Sequence, residues 1–211
     1  LLAGATPFFL ANTATSDYQA DFDNVAAATW DAMELLYICS PGNPTGHLIS
    51  DAQMQRLIEL AHRHDFIIAA DECYSEIYFT EQTRPSSLLA ASDAMGNPDF
   101  ARCVVFHSLS KRSNLPGLRS GFVAGDADII EKFLHYRTYH GCAMGTHQQH
   151  ASTLAWQDET HVQENRARYQ EKFEAVSNIL QPHYDLQQPD GGFYHWLPTP
   201  IDDLSFSQSL F

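Results

Sequence analysis

Three polar clusters in this chain carry residue types that do chemistry, and each follows a short apolar run. The first, Ser-Pro-Gly-Asn-Pro-Thr-Gly (40–46), follows Leu35 to Cys39. Proline, glycine and asparagine punctuate turns everywhere, so by itself this reads equally as a plain strand-to-helix loop. Its functional reading is a tightly fixed loop that aims the Asn43 amide at a ligand. The second, Asp-Glu-Cys-Tyr-Ser-Glu (71–76), follows Phe66 to Ala70. An acid at a strand end commonly caps the next helix. A partly buried Asp71 is also placed to hold a cationic ring nitrogen, since a buried carboxylate needs a partner. The third runs from Ser108 to Gly121 after Cys103 to His107 and contains Lys111, one of three lysines in the chain. Lys132 and Lys172 fall on polar helical positions, where a solvated ammonium is the default. Lys111 alone lies in a Ser- and Gly-rich loop, where burial or a cationic neighbour can turn its amine into a nucleophile. Ser108, Ser110 and Arg119 are the donors a phosphate monoester requires. A solvated basic loop explains this third cluster alone; it does not explain three clusters at three strand ends.

The elements that must position these residues alternate. Pro7 to Leu10, Leu35 to Cys39, Phe66 to Ala70, Cys103 to His107 and Gly121 to Ala124 predict strands covered on both faces, because they are continuous rather than alternating apolar runs. Ser50 predicts an N-cap, with Met54, Leu57, Ile58 and Ala61 at helical spacing up to His64. Asp126 to Tyr139 repeats that spacing, and a long polar helix is predicted from about Asp158 to Leu180, before Pro182. Strands separated by helices imply an α/β fold with a mostly parallel sheet. Ligands of such sheets bind beyond the carboxyl ends of the strands, where all three clusters lie. The turn Pro189-Asp190-Gly191-Gly192 leads into Phe193 to Leu197, a further predicted strand and the one candidate domain boundary.

Composition narrows the function classes. The 211 residues are 44% hydrophobic and 12% aromatic, as in a globular protein. Twelve Lys and Arg against 26 Asp and Glu give a net charge of −14, which repels a phosphate backbone and argues against nucleic acid. The longest apolar runs are five residues, against about 20 for a membrane helix. No secretion signal is visible. Cys39, Cys73, Cys103 and Cys142 form no CxxC pair, which fits reduced thiols in the cytoplasm. His147 and His150 lack the partners of a zinc site, and no metal is expected. No Ser-His-Asp triad, P-loop or GxGxxG is present.

Ser-Pro-Gly-Asn-Pro-Thr-Gly (40–46), Asp-Glu-x-Tyr (71–74) and Ser-Leu-Ser-Lys (108–111), with Arg119 eight residues on, together resemble the signature set of the class I/II aminotransferases, fold-type I enzymes dependent on pyridoxal 5'-phosphate. The likeness runs from about Pro7 to Trp196. It implies a three-layer αβα large domain with the sheet flanked by helices. It also implies that Lys111 holds the cofactor as a Schiff base and shuttles a proton. Asp71 pairs with the pyridinium nitrogen, Asn43 and Tyr74 bond the ring phenolate oxygen, and Ser108, Ser110 and Arg119 grip the phosphate. Lys111, Asp71 and Tyr74 are thus the expected catalytic residues. A narrower likeness, over 71–78, 110–121 and 136–144, is to bacterial N-succinyldiaminopimelate aminotransferases of lysine biosynthesis, which exchange an amino group between glutamate and N-succinyl-2-amino-6-ketopimelate. Arg112, Arg137 and His140 are candidates to meet so acidic a substrate.

By the same resemblance, residues 1–185 are a cofactor domain incomplete at its N-terminus and 186–211 the start of a small domain. An upstream phosphate loop and a downstream arginine for the substrate carboxylate are then missing. The chain is accordingly expected to be a fragment, inactive alone, of a homodimeric parent. Three rivals share some of these features: a carbon–sulfur lyase or decarboxylase on the same scaffold, a non-catalytic aminotransferase-like module normally joined to a DNA-binding segment, and a generic nucleotide-binding α/β protein. Product analysis separates the first, the charge and absent DNA-binding segment argue against the second, and the third leaves Lys111, Asp71 and Asn43 without a shared purpose.

Overall fold

The computed structural model describes residues 4–210, so both ends of the expected domain division, Leu1 and Phe211, lie outside it. Its order is α1 (Ala27–Asp31), β1 (Leu35–Cys39), α2 (Asp51–His64), β2 (Ile67–Asp71), α3 (Leu88–Ala94), β3 (Cys103–Ser108), α4 (Leu109–Arg112), β4 (Gly121–Gly125), α5 (Ala127–His140), α6 (Thr146–Gln157), α7 (Thr160–Leu180) and α8 (Asp203–Ser209). The sheet order is β1-β2-β3-β4. β1, β2 and β3 are parallel, with Cys39 opposite Asp71 and Asp71 opposite Phe106, while β4 is antiparallel to β3. This mixed sheet flanked by helices is consistent with the three-layer α/β fold expected. β4 reverses because only the four-residue α4 and a 3₁₀ turn at Pro116–Leu118 separate it from β3. A parallel return needs a full crossover, usually a helix spanning the sheet.

Helix α2 starts where Ser50 predicts. The Ser50 hydroxyl accepts from Gln53 N–H at 3.3 Å while the Gln53 side chain accepts from Ser50 N–H at 3.1 Å, a reciprocal cap. It stops at Asp65, which turns left-handed at φ 63°. Met54, Leu57, Ile58 and Ala61 share one face and are fully buried against Leu36, Ile38, Ile68 and Trp30. Each such side chain contributes roughly 1.5–3 kcal/mol by leaving water. Phe66 stacks on Trp30 at 5.6 Å and closes the far end of this core.

Four expectations change. In β1, Leu36 and Ile38 are buried but Leu35 and Tyr37 are 57% and 63% exposed, so this edge strand is covered on one face only. The other edge strand, β4, has no buried residue and leaves Phe122 exposed. Residues 7–10 form no strand, and Phe8 and Phe9 are exposed. Phe193 to Leu197 forms none either; the nearest pairing is a single bridge between Tyr78 and Gly191. Apolar content marks what a strand would bury, but a strand also needs a neighbour for its backbone N–H and C=O groups. The two central strands behave as expected, with Ile68 to Ala70 and Cys103 to Val105 buried on both sides. Among the described residues no helix is long and apolar enough to cross a membrane.

Asp126 ties β3, β4 and α5 together. Its carboxylate accepts from the N–H of Arg102 at 2.7 Å, Asp128 at 2.9 Å and Ile129 at 3.3 Å. Burial opposes its charge, but those N–H donors outweigh burial and hold the group below the ordinary carboxylate range. Asp126→Ala is expected to cost about 1 kcal/mol, as for loss of an N-cap. Because the folded-state value is depressed, this stabilisation is present above the unfolded value near ~3.9 and is lost as pH falls through the folded one. Urea unfolding of both proteins should therefore show a gap at pH 7 that narrows toward pH 3.

Candidate active site

All three clusters meet beyond the carboxyl ends of β1, β2 and β3. The loop after β1 is closed by its own backbone: Gly42 N–H donates to His47 O at 2.9 Å, Gly46 N–H to Gly42 O at 2.7 Å, and Ile49 N–H to the buried Ser40 hydroxyl at 3.1 Å. So braced, the loop presents Asn43, whose Nδ2 donates to the Tyr74 hydroxyl at 3.2 Å. Tyr74 is buried and packs edge-on to Phe193 at 5.4 Å. Burial first, then its neighbour Tyr194, pushes its phenol pKa up, so it acts as a neutral hydrogen-bonding group.

Asp71 ends β2 with both oxygens engaged. Oδ1 accepts from Cys73 N–H at 3.1 Å and Oδ2 from the Tyr37 hydroxyl at 3.2 Å. Burial and then the Asp71 charge push the Tyr37 phenol up to about 12. Burial followed by Asp71 likewise raises Cys39 to about 11 and Cys73 to about 12, so both thiols stay protonated at neutral pH. The three carboxylates crowded in the sequence separate in space. Asp71 faces the cluster, Glu72 is buried beneath the strand ends, and Glu76 pairs with Arg166 of α7 at 2.5 Å.

Lys111 projects from α4. Its Nζ sits 4.6 Å from the Phe193 ring centroid and 5.7 Å from that of Tyr74. Ser108 caps this short helix, accepting from Ser110 N–H at 3.0 Å, and its hydroxyl lies 2.8 Å from that of Ser110. Arg119 reaches the other end of the loop in a left-handed conformation at φ 53°, with Nη1 donating to Pro116 O at 2.7 Å. The structure therefore brings Asn43, Tyr74 and Lys111 into one cluster and Ser108 with Ser110 into another. Asp71 and Arg119 make their own local contacts at its edges.

Arg112 does not face a substrate. It is 8% exposed, donates to Ala155 O at 3.0 Å, pairs with Glu159 and lies over Trp156 at 5.0 Å, anchoring α4 to α6 and α7. Arg137 and His140 lie on the exposed helix α5, where His140 stacks on Tyr136 at 4.5 Å.

Several site residues escaped sequence reasoning. Phe193 and Tyr194 come from the segment read as a further strand and a domain boundary. That segment is bound to the first loop, since Gly191 N–H donates to Gly46 O at 3.0 Å and Gly192 N–H to Ile77 O at 2.8 Å. Tyr169 stacks on Phe193 at 5.6 Å. Asn165 donates to the carbonyls of Lys111 and Arg112 at 3.2 and 3.3 Å. Both belong to α7, whose polar stripe reads as solvated but supplies donors to the backbone under the site. The diglycine turn was the available signal; nothing local marks Asn165.

The family profile for aminotransferase class I and II matches residues 2–211. The LL-diaminopimelate aminotransferase of Nitratidesulfovibrio vulgaris (strain DSM 19637 / Miyazaki F) is 30% identical over 187 residues, covering 88% of this chain and 47% of the relative. An aminotransferase structure from Neisseria meningitidis Z2491 superposes with TM-score 0.91 at 45% identity, over 99% of this chain and 53% of that one. A probable N-succinyldiaminopimelate aminotransferase from Thermus thermophilus shares the fold at TM-score 0.82 and 24% identity, over 92% and 52%. The chain thus spans about half the length of the curated relative it matches.

Proposed function

Since this chain belongs to the class I and II aminotransferases, we propose that its Lys111 cluster binds pyridoxal 5'-phosphate and serves transfer of an amino group between an amino acid and a keto acid. Enzymes of the family use this cofactor. The observation that carries the reading is the placement of the Lys111 amine against Tyr74 and Phe193, with Asn43 holding Tyr74. The donor set fits the group: an amine for the aldehyde, an amide and a phenol for the ring oxygen, a carboxylate for the ring nitrogen, and two adjacent hydroxyls with Arg119 for the phosphate.

When bound, the cofactor supplies the reactive carbonyl carbon and an electron-withdrawing ring; the protein supplies position and proton control. Asp71 keeps a proton on the ring nitrogen, itself held by Cys73 N–H and the Tyr37 hydroxyl. Tyr74 and Asn43 direct hydrogen bonds at the ring oxygen. Ser108, Ser110 and Arg119 would hold the phosphate, Arg119 keeping further N–H donors free beside the one given to the Pro116 carbonyl. Lys111 Nζ, once free, takes the proton from the substrate α-carbon and returns it elsewhere, a general-base role. Phe193 and Tyr74 wall that nitrogen with their rings, at 4.6 and 5.7 Å.

Glutamate is the proposed donor and N-succinyl-2-amino-6-ketopimelate the acceptor, a step in lysine biosynthesis. The loop 110–121, the Tyr-Arg-Thr-Tyr-His-Gly segment (136–141) and a relative named for diaminopimelate support that choice. Residues 1–185 would form the cofactor domain and 186–211 the start of a second. A cytoplasmic homodimer is the proposed setting, with exposed Leu134, Tyr136 and Tyr139 on α5 available to a second copy. Assay of the protein carrying this chain with glutamate, the cofactor and this keto acid should yield 2-oxoglutarate and N-succinyl-2,6-diaminopimelate. Pyruvate and ammonia from a β-substituted amino acid, with no amino transfer, would replace this reading with β-elimination.

A further inference from the structure

Three residues stand immediately beside proposed cofactor ligands in sequence: Glu72 beside Asp71, His107 beside Ser108, and Arg112 beside Lys111. Strand alternation turns the first two away from the cluster, and Arg112 is anchored away from it on α6 and α7. All three are joined through side chains. Glu72 is 1% exposed; its Oε1 accepts from Leu88 N–H at 2.8 Å and the Ser87 hydroxyl at 3.1 Å. Oε2 lies 3.0 Å from His107 Nε2, at ion-pair distance but without hydrogen-bond alignment, and has no hydrogen-bond partner among the described residues. The His107 ring stacks on Phe122 at 4.9 Å, Phe122 meets Trp156 edge-on at 4.9 Å, and Trp156 carries the Arg112 guanidinium at 5.0 Å.

This relay lies where the backbone stops holding the strands together. The last ladder bond between β2 and β3 is Glu72 N–H to Phe106 O at 3.0 Å. Beyond it β2 turns at Cys73 and β3 runs on into α4, joined by Glu72 with His107 and, weakly, by Cys73 Sγ near Phe106 O at 3.9 Å. A rigid ring bearing both a nitrogen and a phosphate needs its two sets of partners at a fixed separation, and misplacement is costly.

We infer that Glu72 and His107 are positioning residues that set the span between Asp71 and the Ser108–Ser110 phosphate seat. This rests on the proposed cofactor site. Its signature is selectivity: loosening the tie weakens a ligand that touches both ends and spares ligands that touch one. Pyridoxine 5'-phosphate, pyridoxine and inorganic phosphate are the probes, titrated into this chain by NMR line broadening. His107→Phe keeps the ring and removes Nε2; His107→Gln removes the ring and keeps a donor for Glu72.

His107→Phe is expected to weaken pyridoxine 5'-phosphate at least ~10-fold and the two single-ended probes by less than about twofold, with His107→Gln near the parent. Equal losses on all three probes, or a parent-like His107→Phe, overturn the inference, as does His107→Gln failing while His107→Phe binds normally. Should His107→Phe not fold, the Glu72→Gln/His107→Phe double variant removes the unpaired charge and is read against the same criteria. Failure of the parent chain to bind pyridoxine 5'-phosphate would instead remove the cofactor site and this inference together.

Discussion

Lys111→Ala is expected to abolish covalent retention of pyridoxal phosphate. The parent chain, incubated with the cofactor, reduced with borohydride and passed through gel filtration, should keep about one cofactor equivalent per chain on the peptide containing Lys111, with a matching visible band before reduction. The variant should keep none there. The remaining lysines offer a built-in contrast. Lys132 is exposed on α5 and Lys172 lies over Tyr169 at 5.4 Å, the same Tyr169 that stacks on Phe193. Lys172→Arg should therefore leave the band intact although it stands next to the aromatic wall. A band that survives in Lys111→Ala and disappears in Lys172→Arg would move the covalent site to α7 and refute the assignment of Lys111.

Gly46→Ala should do the largest damage of any small substitution near the site. Gly46 has φ +76°, and a Cβ there would run into the Gly191 carbonyl and the Pro189 side chain. Left-handed strain and overpacking together amount to roughly 2–5 kcal/mol, a large part of the ~5–15 kcal/mol that holds a domain folded. The backbone contact from Gly191 to Gly46 also helps carry Phe193 over Lys111. Urea unfolding should show the stability loss, and cofactor titration of the still-folded protein should show weaker retention. Thr45→Ala, one residue away, serves as control; if it and Gly46→Ala behave alike, the close approach of these two segments is not what holds the aromatic wall.

How far the sequence reached can be judged residue by residue. Asn43, Asp71, Tyr74, Ser108, Ser110, Lys111 and Arg119 stand out as candidates because each sits in a cluster dense in glycine, proline or polar side chains directly after an apolar run; of these, the structure joins Asn43, Tyr74 and Lys111, and Ser108 with Ser110. Strands β1 to β4 and helices α2, α5 and α7 were legible from periodicity within a residue or two, and so was the Ser50 cap. The strands expected at 7–10 and 193–197 failed for a shared reason: hydrophobicity reports a demand for burial, whereas a strand exists only where a neighbour satisfies its backbone. Arg112 failed differently. A cation beside Lys111 reads as substrate-facing until Trp156, Glu159 and the Ala155 carbonyl, more than forty positions away, are seen to enclose it.

By itself, the sequence determined the chemistry available at three strand ends and the order of elements that delivers it there, because both are encoded in local spacing. Tertiary structure decided which neighbours those groups receive. It sent Asp71 toward Tyr37, set Phe193 against Lys111, put Asn165 under its carbonyl and buried Glu72 against His107. The physical reason is that strand and helix periods select a face, while the partner on that face comes from chain closing over dozens of residues, where no local pattern records it.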